Sequence, residues 1–194
     1  MALSKKQQII IEDAIEIIAD LGIQGFTIKN LSQKLGVTEG AIYRHFKSKL
    51  EILHTILAVF QDECRNVLDN LCLEEKSAFE NIAAIFNHHF EYFSKKPAVA
   101  AVIFSESIFQ NDNLLSREVY ELLRMHEIGL MKIIESGQKK GELVNGSIKK
   151  EQIVRMIIGS IRYTVTQWRL DGYSFDIRKE GNKLLNNIRE LIVT

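Results

Sequence analysis

One proline, one tryptophan and two cysteines are all that 194 residues contain of these types. So little proline leaves nearly the whole chain free to be helical, because a residue without an N–H and with a fixed φ is what most often breaks a helix. Runs of alternating β-branched residues are missing as well, which argues against half-buried strands. The two thiols, Cys64 and Cys72, stand eight residues apart. On one helix that is about 12 Å, too far to bridge. Neither has a CxxC partner or a histidine at zinc spacing, so reduced thiols, buried or idle, in a cytoplasm are expected. No charge of one sign dominates, with 25 basic against 25 acidic residues. The longest apolar run, Pro97 to Phe104, falls far short of a membrane span, and MALSKKQQ at the start has no apolar signal core. What remains is ordinary globular composition, 46% hydrophobic and 26% charged, in one or two domains with enough chain for a real core.

Catalytic motifs are missing too. There is no GxSxG elbow, Walker loop, dinucleotide-binding glycine pattern or HExxH. A di-metal carboxylate bundle needs two Glu-x-x-His motifs, and only Glu51-Ile52-Leu53-His54 is present. His88, His89 and Glu91 lack the spacing of a closed metal site. We therefore expect no enzyme, no catalytic residue, no cofactor and no metal.

The zero net charge hides an asymmetry, for residues 27 to 49 hold five bases against one acid. Such a cluster is usually a solvated face, so its local structure decides its meaning. Ser4-Lys5-Lys6-Gln7 has capping-box spacing, and Ile10, Ile11, Ala14, Ile17, Ile18 and Leu21 follow at helical intervals to Gly22. Thr27 can cap a second helix carrying Ile28, Leu31 and Leu35, stopped by Gly36. A third short helix, GAIYRHF, begins after Val37 and Thr38. Two short helices joined by a tight turn with glycine, and braced by a longer one, make a helix-turn-helix. Its second short helix would enter the major groove of DNA. Ser48-Lys49-Leu50-Glu51 is another capping box, so a fourth helix would aim its N-terminus, reinforced by Lys49, at a phosphate.

The stretch FTIKNLSQKLGVTEGAIYRHFKSKLEIL resembles the DNA-binding domain of TetR/AcrR bacterial regulators, which share the helix-opening Thr, the LGV turn, the Ile-Tyr pair and the x-His-Phe-x-x-Lys ending. The resemblance covers about residues 10 to 55 and implies an all-α protein: a helix-turn-helix domain over 1–47 and a helical effector-binding and dimerisation domain over 48–194. It further implies phosphate contacts from Thr27, Lys29, Tyr43, His45 and Lys49, and a groove-facing start of the third helix at Thr38, Glu39, Gly40 and Ala41. Arg44 would add a base or phosphate contact. Glu39 stands where many members have an uncharged reader, and Leu50 where Glu is usual. Read alone, Tyr43 could equally be a packing residue and His45 a surface histidine.

Beyond residue 48 a long helix to about Leu73 is predicted, then helices near 75–94, 97–109, 113–138, 148–170 and 174–192, with breaks at Gly137/Gly141, Asn145-Gly146 and Asp171-Gly172. The apolar residues of the penultimate helix cover more than one face, and the surplus needs a partner. Ile157, Ile161, Val165 and Trp168, with Leu184 and Ile188 on the last helix, are the expected homodimer contacts, and the resemblance implies the same two helices. Phe86, His89, Phe90 and Phe93 share a helical face, and Phe104, Met125, His126, Met156 and Tyr163 could join them around a small apolar or amphipathic effector. That pocket is implied by the resemblance, since an aromatic and Met stripe is more often plain core. The implied function is a homodimeric repressor of the bacterial cytoplasm or nucleoid, bound to a palindromic double-stranded DNA operator and released by the effector. An alternative keeps the DNA binding and replaces the effector by a protein partner, as in nucleoid-occlusion factors; a third reading is a helical protein-interaction bundle.

Overall fold

The computed structural model describes residues 3–70, 75–104, 112–145 and 148–194. Among them stand nine helices: α1 (Lys5–Gly25), α2 (Ile28–Leu35), α3 (Glu39–Tyr43), α4 (Lys49–Asn70), α5 (Ala78–Lys95), α6 (Pro97–Ile103), α7 (Asn113–Lys139), α8 (Lys150–Leu170) and α9 (Ile177–Ile192). The fold is all-helical, and among the described residues no helix is long and apolar enough to cross a membrane. Cys72, Gly146, the last turn of the predicted 48–73 helix and the second half of the predicted 97–109 helix lie outside the described residues.

Local chemistry accounts for most helix ends. Ser4 and Gln7 form the expected capping box at the start of α1, and Gly22, at φ 69° and ψ 178°, breaks the helical path where the sequence predicted its end. Thr27 caps α2 through the Asn30 N–H, and Gly36, at φ 65°, ends it in the left-handed conformation that suits glycine. Ser77 with Glu80 opens α5, and Asp176 opens α9. The last helix starts three residues later than predicted, at Ile177, because the Asp176 carboxylate is the cap that takes the Arg178 and Lys179 N–H groups. Helix α3 is shorter than GAIYRHF, since the His45 and Phe46 N–H groups both turn back to the Ile42 carbonyl, at 2.8 and 3.0 Å.

The chain divides into two compact units. The first comprises residues 1–62 with 98–120, and the second 63–97 with 121–194. In the first, Ile10, Ile11, Ala14, Ile17 and Ile18 of α1 are buried together with Phe26, Leu31, Ile42 and Phe46, which fixes the attitude of α2 and α3. In the second, α9 packs on α5 so closely that a Cβ on Gly181 would lie 2.3 Å from the Phe90 ring. The expected interface residues Ile157, Ile161, Val165, Trp168 and Ile188 lie instead in the interior of this one chain, and Leu184 is half-buried. They form the inner face of α8 and α9; the surplus apolar surface lies on the other side.

Candidate nucleic-acid interface and effector core

The turn Leu35-Gly36-Val37-Thr38 is held by two backbone bonds, from Gly36 N–H to the Gln33 carbonyl at 3.2 Å and from Val37 N–H to the Ser32 carbonyl at 3.0 Å. Around it Thr27, Lys29, Thr38, Glu39, Gly40, Tyr43 and Arg44 are exposed, while Ala41, His45 and Lys49 are half-buried. The hydroxyls of Thr27 and Thr38 accept the Asn30 and Ala41 N–H groups at 3.0 and 3.3 Å. Each keeps its own O–H proton to donate outward. A Cβ on Gly40 would meet only the Thr38 hydroxyl, at 3.9 Å, so nothing inside the chain requires glycine there.

Two charges of the basic cluster serve the fold. Lys34 pairs with Glu16 at 2.7 Å, and this hydrogen-bonded partner raises its pKa. Lys49 donates to the Ile23 carbonyl at 3.1 Å and lies 5.3 Å from the centre of the Phe26 ring, and burial lowers its pKa. An ammonium has three donors, so Lys49 retains two for other partners. At the start of α4, Ser48 Oγ takes the Glu51 N–H at 3.1 Å, and the Glu51 carboxylate takes the Lys47 N–H. The helix is thus capped by its own residues, one position askew from the expected box.

The second unit holds the aromatic group. Phe86, His89, Phe90 and Phe93 of α5 are buried, with the Phe86 and Phe90 rings 5.8 Å apart. His126 of α7 joins them, its ring centre 5.1 Å from that of His89. Met125 is half-buried, and Phe104 is half-buried in the first unit. Met156 and Tyr163 do not share this interior: they are 36% and 70% exposed on the outer face of α8. Helical spacing alone made them look alike, because a helix with apolar residues on two sides offers no sign of which side is inner.

Both core histidines are held alike. His89 Nδ1 donates to the Ile85 carbonyl at 2.8 Å and His126 Nδ1 to the Leu122 carbonyl at 3.0 Å, which leaves a lone pair on each Nε2. Burial, with His126 nearby, pushes His89 down to about 3, and burial lowers His126 as well, so both are neutral near pH 7. Cys64 of α4 lies against them, its Sγ 3.9 Å from His89 Nε2, and burial pushes its thiol up. Sequence reading missed this group because its members stand 25 and 37 residues apart on three helices. An open cleft of about 530 Å³ between α5 and α9 combines the edge of Phe90 with Arg178, which Glu91 holds at 3.7 Å.

Comparison with known proteins covers both parts of the chain. Residues 10–56 match the family described as bacterial regulatory proteins, tetR family, and residues 57–194 match the YsiA-like protein C-terminal region. The fatty acid metabolism regulator protein of Bacillus subtilis (strain 168) is 27% identical over 188 residues, covering 95% of this chain and 92% of that protein. The crystal structure of the transcriptional regulator FadR from Bacillus subtilis in complex with stearoyl-CoA is similar with a TM-score of 0.78 at 26% identity, covering 95% of this chain and 97% of that one. The fatty acid degradation regulator FadR from Bacillus halodurans shares the fold, with a TM-score of 0.81 at 20% identity over 97% of this chain and 96% of that one.

Proposed function

This chain belongs to the TetR family of bacterial regulatory proteins, a family of DNA-binding transcription regulators and not of enzymes, and on that footing we propose that it is a homodimeric repressor that leaves a palindromic operator when it binds a long-chain acyl-CoA. The observation that carries the effector is the likeness, along nearly the full length of both chains, to a regulator solved with stearoyl-CoA. Two features of the second unit support it. The buried phenylalanines Phe86, Phe90 and Phe93 offer the chemistry for an acyl chain, and the cleft that joins Phe90 to Arg178 offers a cation for an anionic head group.

In this reading residues 1–47 bind DNA, and 48–194 bind effector and partner subunit. Thr27, Lys29, Tyr43, His45 and Lys49 contact phosphates, while Thr38, Glu39, Gly40 and Ala41, with Arg44 beside them, meet base edges at the start of α3. Two subunits set two copies of α3 about one helical turn of DNA apart. The acyl-CoA favours the conformation in which that spacing no longer fits, and operator affinity falls by its differential affinity for the two states.

Selection from a random double-stranded DNA pool should enrich a palindrome with half-sites about one helical turn apart. Adding stearoyl-CoA should then weaken binding about 5- to 150-fold, the usual range of allosteric coupling, with no effect from free CoA. Enrichment of a palindrome that no acyl-CoA releases would overturn the effector and favour a protein partner. Failure to enrich any motif, with no retention even at low salt, would overturn operator binding.

A further inference from the structure

We propose that Cys64, His89 and His126 form a three-coordinate site for one soft metal ion, monovalent copper. Their ligand atoms all lie within 4.8 Å of one another, gathered from α4, α5 and α7. Cys64 and His89 are buried, and His126 is only 9% exposed. The inference does not rest on the effector assignment.

The orientation of the two imidazoles carries the argument. Each gives its Nδ1 proton to the carbonyl four residues earlier on its own helix, which turns its Nε2 lone pair toward the cluster. This backbone anchoring is how metal-bound histidines are usually fixed in tautomer and direction. His126 Nε2 is buried and makes no hydrogen bond among the described residues. A buried acceptor left unpaired is costly, and a cation at this point satisfies it. The 3.9 Å between Cys64 Sγ and His89 Nε2 is near the separation of about 3.6–3.8 Å that follows from metal–sulfur and metal–nitrogen bonds of about 2.3 and 2.0 Å.

Charge selects the ion. On binding, the Cys64 S–H bond breaks, the sulfur lone pair joins the metal and the proton leaves to solvent. Two neutral imidazoles and one thiolate around a monovalent ion give a neutral complex, which can be buried beside Phe93 without an uncompensated charge. A divalent ion would leave one positive charge in the interior, and zinc would still lack its customary fourth ligand. A thiolate among the donors also favours soft monovalent copper.

The test uses the full chain, reduced and anaerobic, titrated with cuprous ion against a chromogenic cuprous chelator, and separately with zinc alone. Wild type should take up one copper per chain, with one sulfur and two nitrogens in its X-ray absorption shell. Cys64→Ser and His126→Gln should each weaken uptake by about 100-fold or more, at or beyond the largest loss usual when only a ligand's supporting group is removed. Cys72→Ser should bind as wild type does. No copper bound by wild type, or equal binding by Cys64→Ser and His126→Gln in their folded state, would overturn the site. One equivalent of zinc with no copper would overturn the ion. Should either variant fail to fold by circular dichroism, the absorption shell of wild type decides by itself.

Discussion

Lys49 serves the fold independently of the phosphate contact proposed for it, since its ammonium donates to the Ile23 carbonyl and lies over the Phe26 ring. Its removal therefore has two separable effects. Lys49→Ala should destabilise the first unit by about 1 kcal/mol, the usual net worth of one such hydrogen bond. It should also lower the slope of log affinity against log salt by about one, as each lost phosphate contact does. A slope unchanged in Lys49→Ala, measured by fluorescence anisotropy on the selected operator, would remove Lys49 from the interface. Gly40 separates the effects in the other direction. Its added Cβ meets no close neighbour, so Gly40→Ala should fold at least as well as wild type yet bind DNA less well, through a methyl group in the groove. Asp176 provides a pH test. Its carboxylate accepts the Arg178 and Lys179 N–H groups at 3.0 and 3.3 Å, and these backbone bonds hold it below the usual aspartate range. A depressed pKa adds stability above the unfolded value of about 3.9 and loses it as pH falls through the folded one. Wild type should thus melt higher than Asp176→Ala at pH 7, and the gap should narrow as pH falls below about 4.

Helix α9 is held to α5 by a contact that no side chain can share. Gly181 brings the α9 backbone against Phe90, and a Cβ there would lie 2.3 Å from ring carbon Cδ2. Gly181→Ala must therefore part the two helices or drive the ring off its rotamer, at about 1–3 kcal/mol, which exceeds the gain of about 1 kcal/mol that alanine normally brings within a helix. Urea denaturation should show this loss, and Phe90→Leu in the same chain should recover part of it; additive losses would mean that the contact is not what positions α9. The sequence held nothing that distinguishes Gly181 from any helical glycine, because its meaning depends on a residue 91 positions away. Some helix starts were legible because a cap is a local event: Ser4, Thr27 and Thr38 each satisfy an N–H three residues on, whereas α5 and α9, capped by Ser77 and Asp176, begin three residues beyond the predicted 75 and 174. The residues proposed to meet DNA could be named from the sequence for the same reason, all lying within one short stretch of chain. Cys64, His89 and His126 were not legible as a group, since three helices must pack before they become neighbours.

A two-fold operator binder needs a face on which one chain meets its copy, and α8 has apolar residues on both sides. Ile157, Ile161, Val165 and Trp168 fill the interior. Met156, Tyr163 and Leu170 recur every seven residues on a second stripe, centred about 155° around the axis from those four at 100° per residue, and the latter two are 70% and 72% exposed. Gly159 lies near this stripe with open space where a Cβ would stand, which suits close helix approach. Leu191 adds an exposed apolar residue on α9. In a two-fold interface each residue occurs twice, so one added charge enters the contact from both sides. Tyr163→Asp should therefore give a folded monomer by sedimentation, and its operator affinity should collapse because a single recognition helix engages one half-site. Ile157→Asp should unfold the chain instead, since it places a carboxylate where the native residue is fully buried. If Tyr163→Asp sediments as a dimer with its operator affinity intact, the outer stripe of α8 is not the subunit interface and the two recognition helices are joined through another surface.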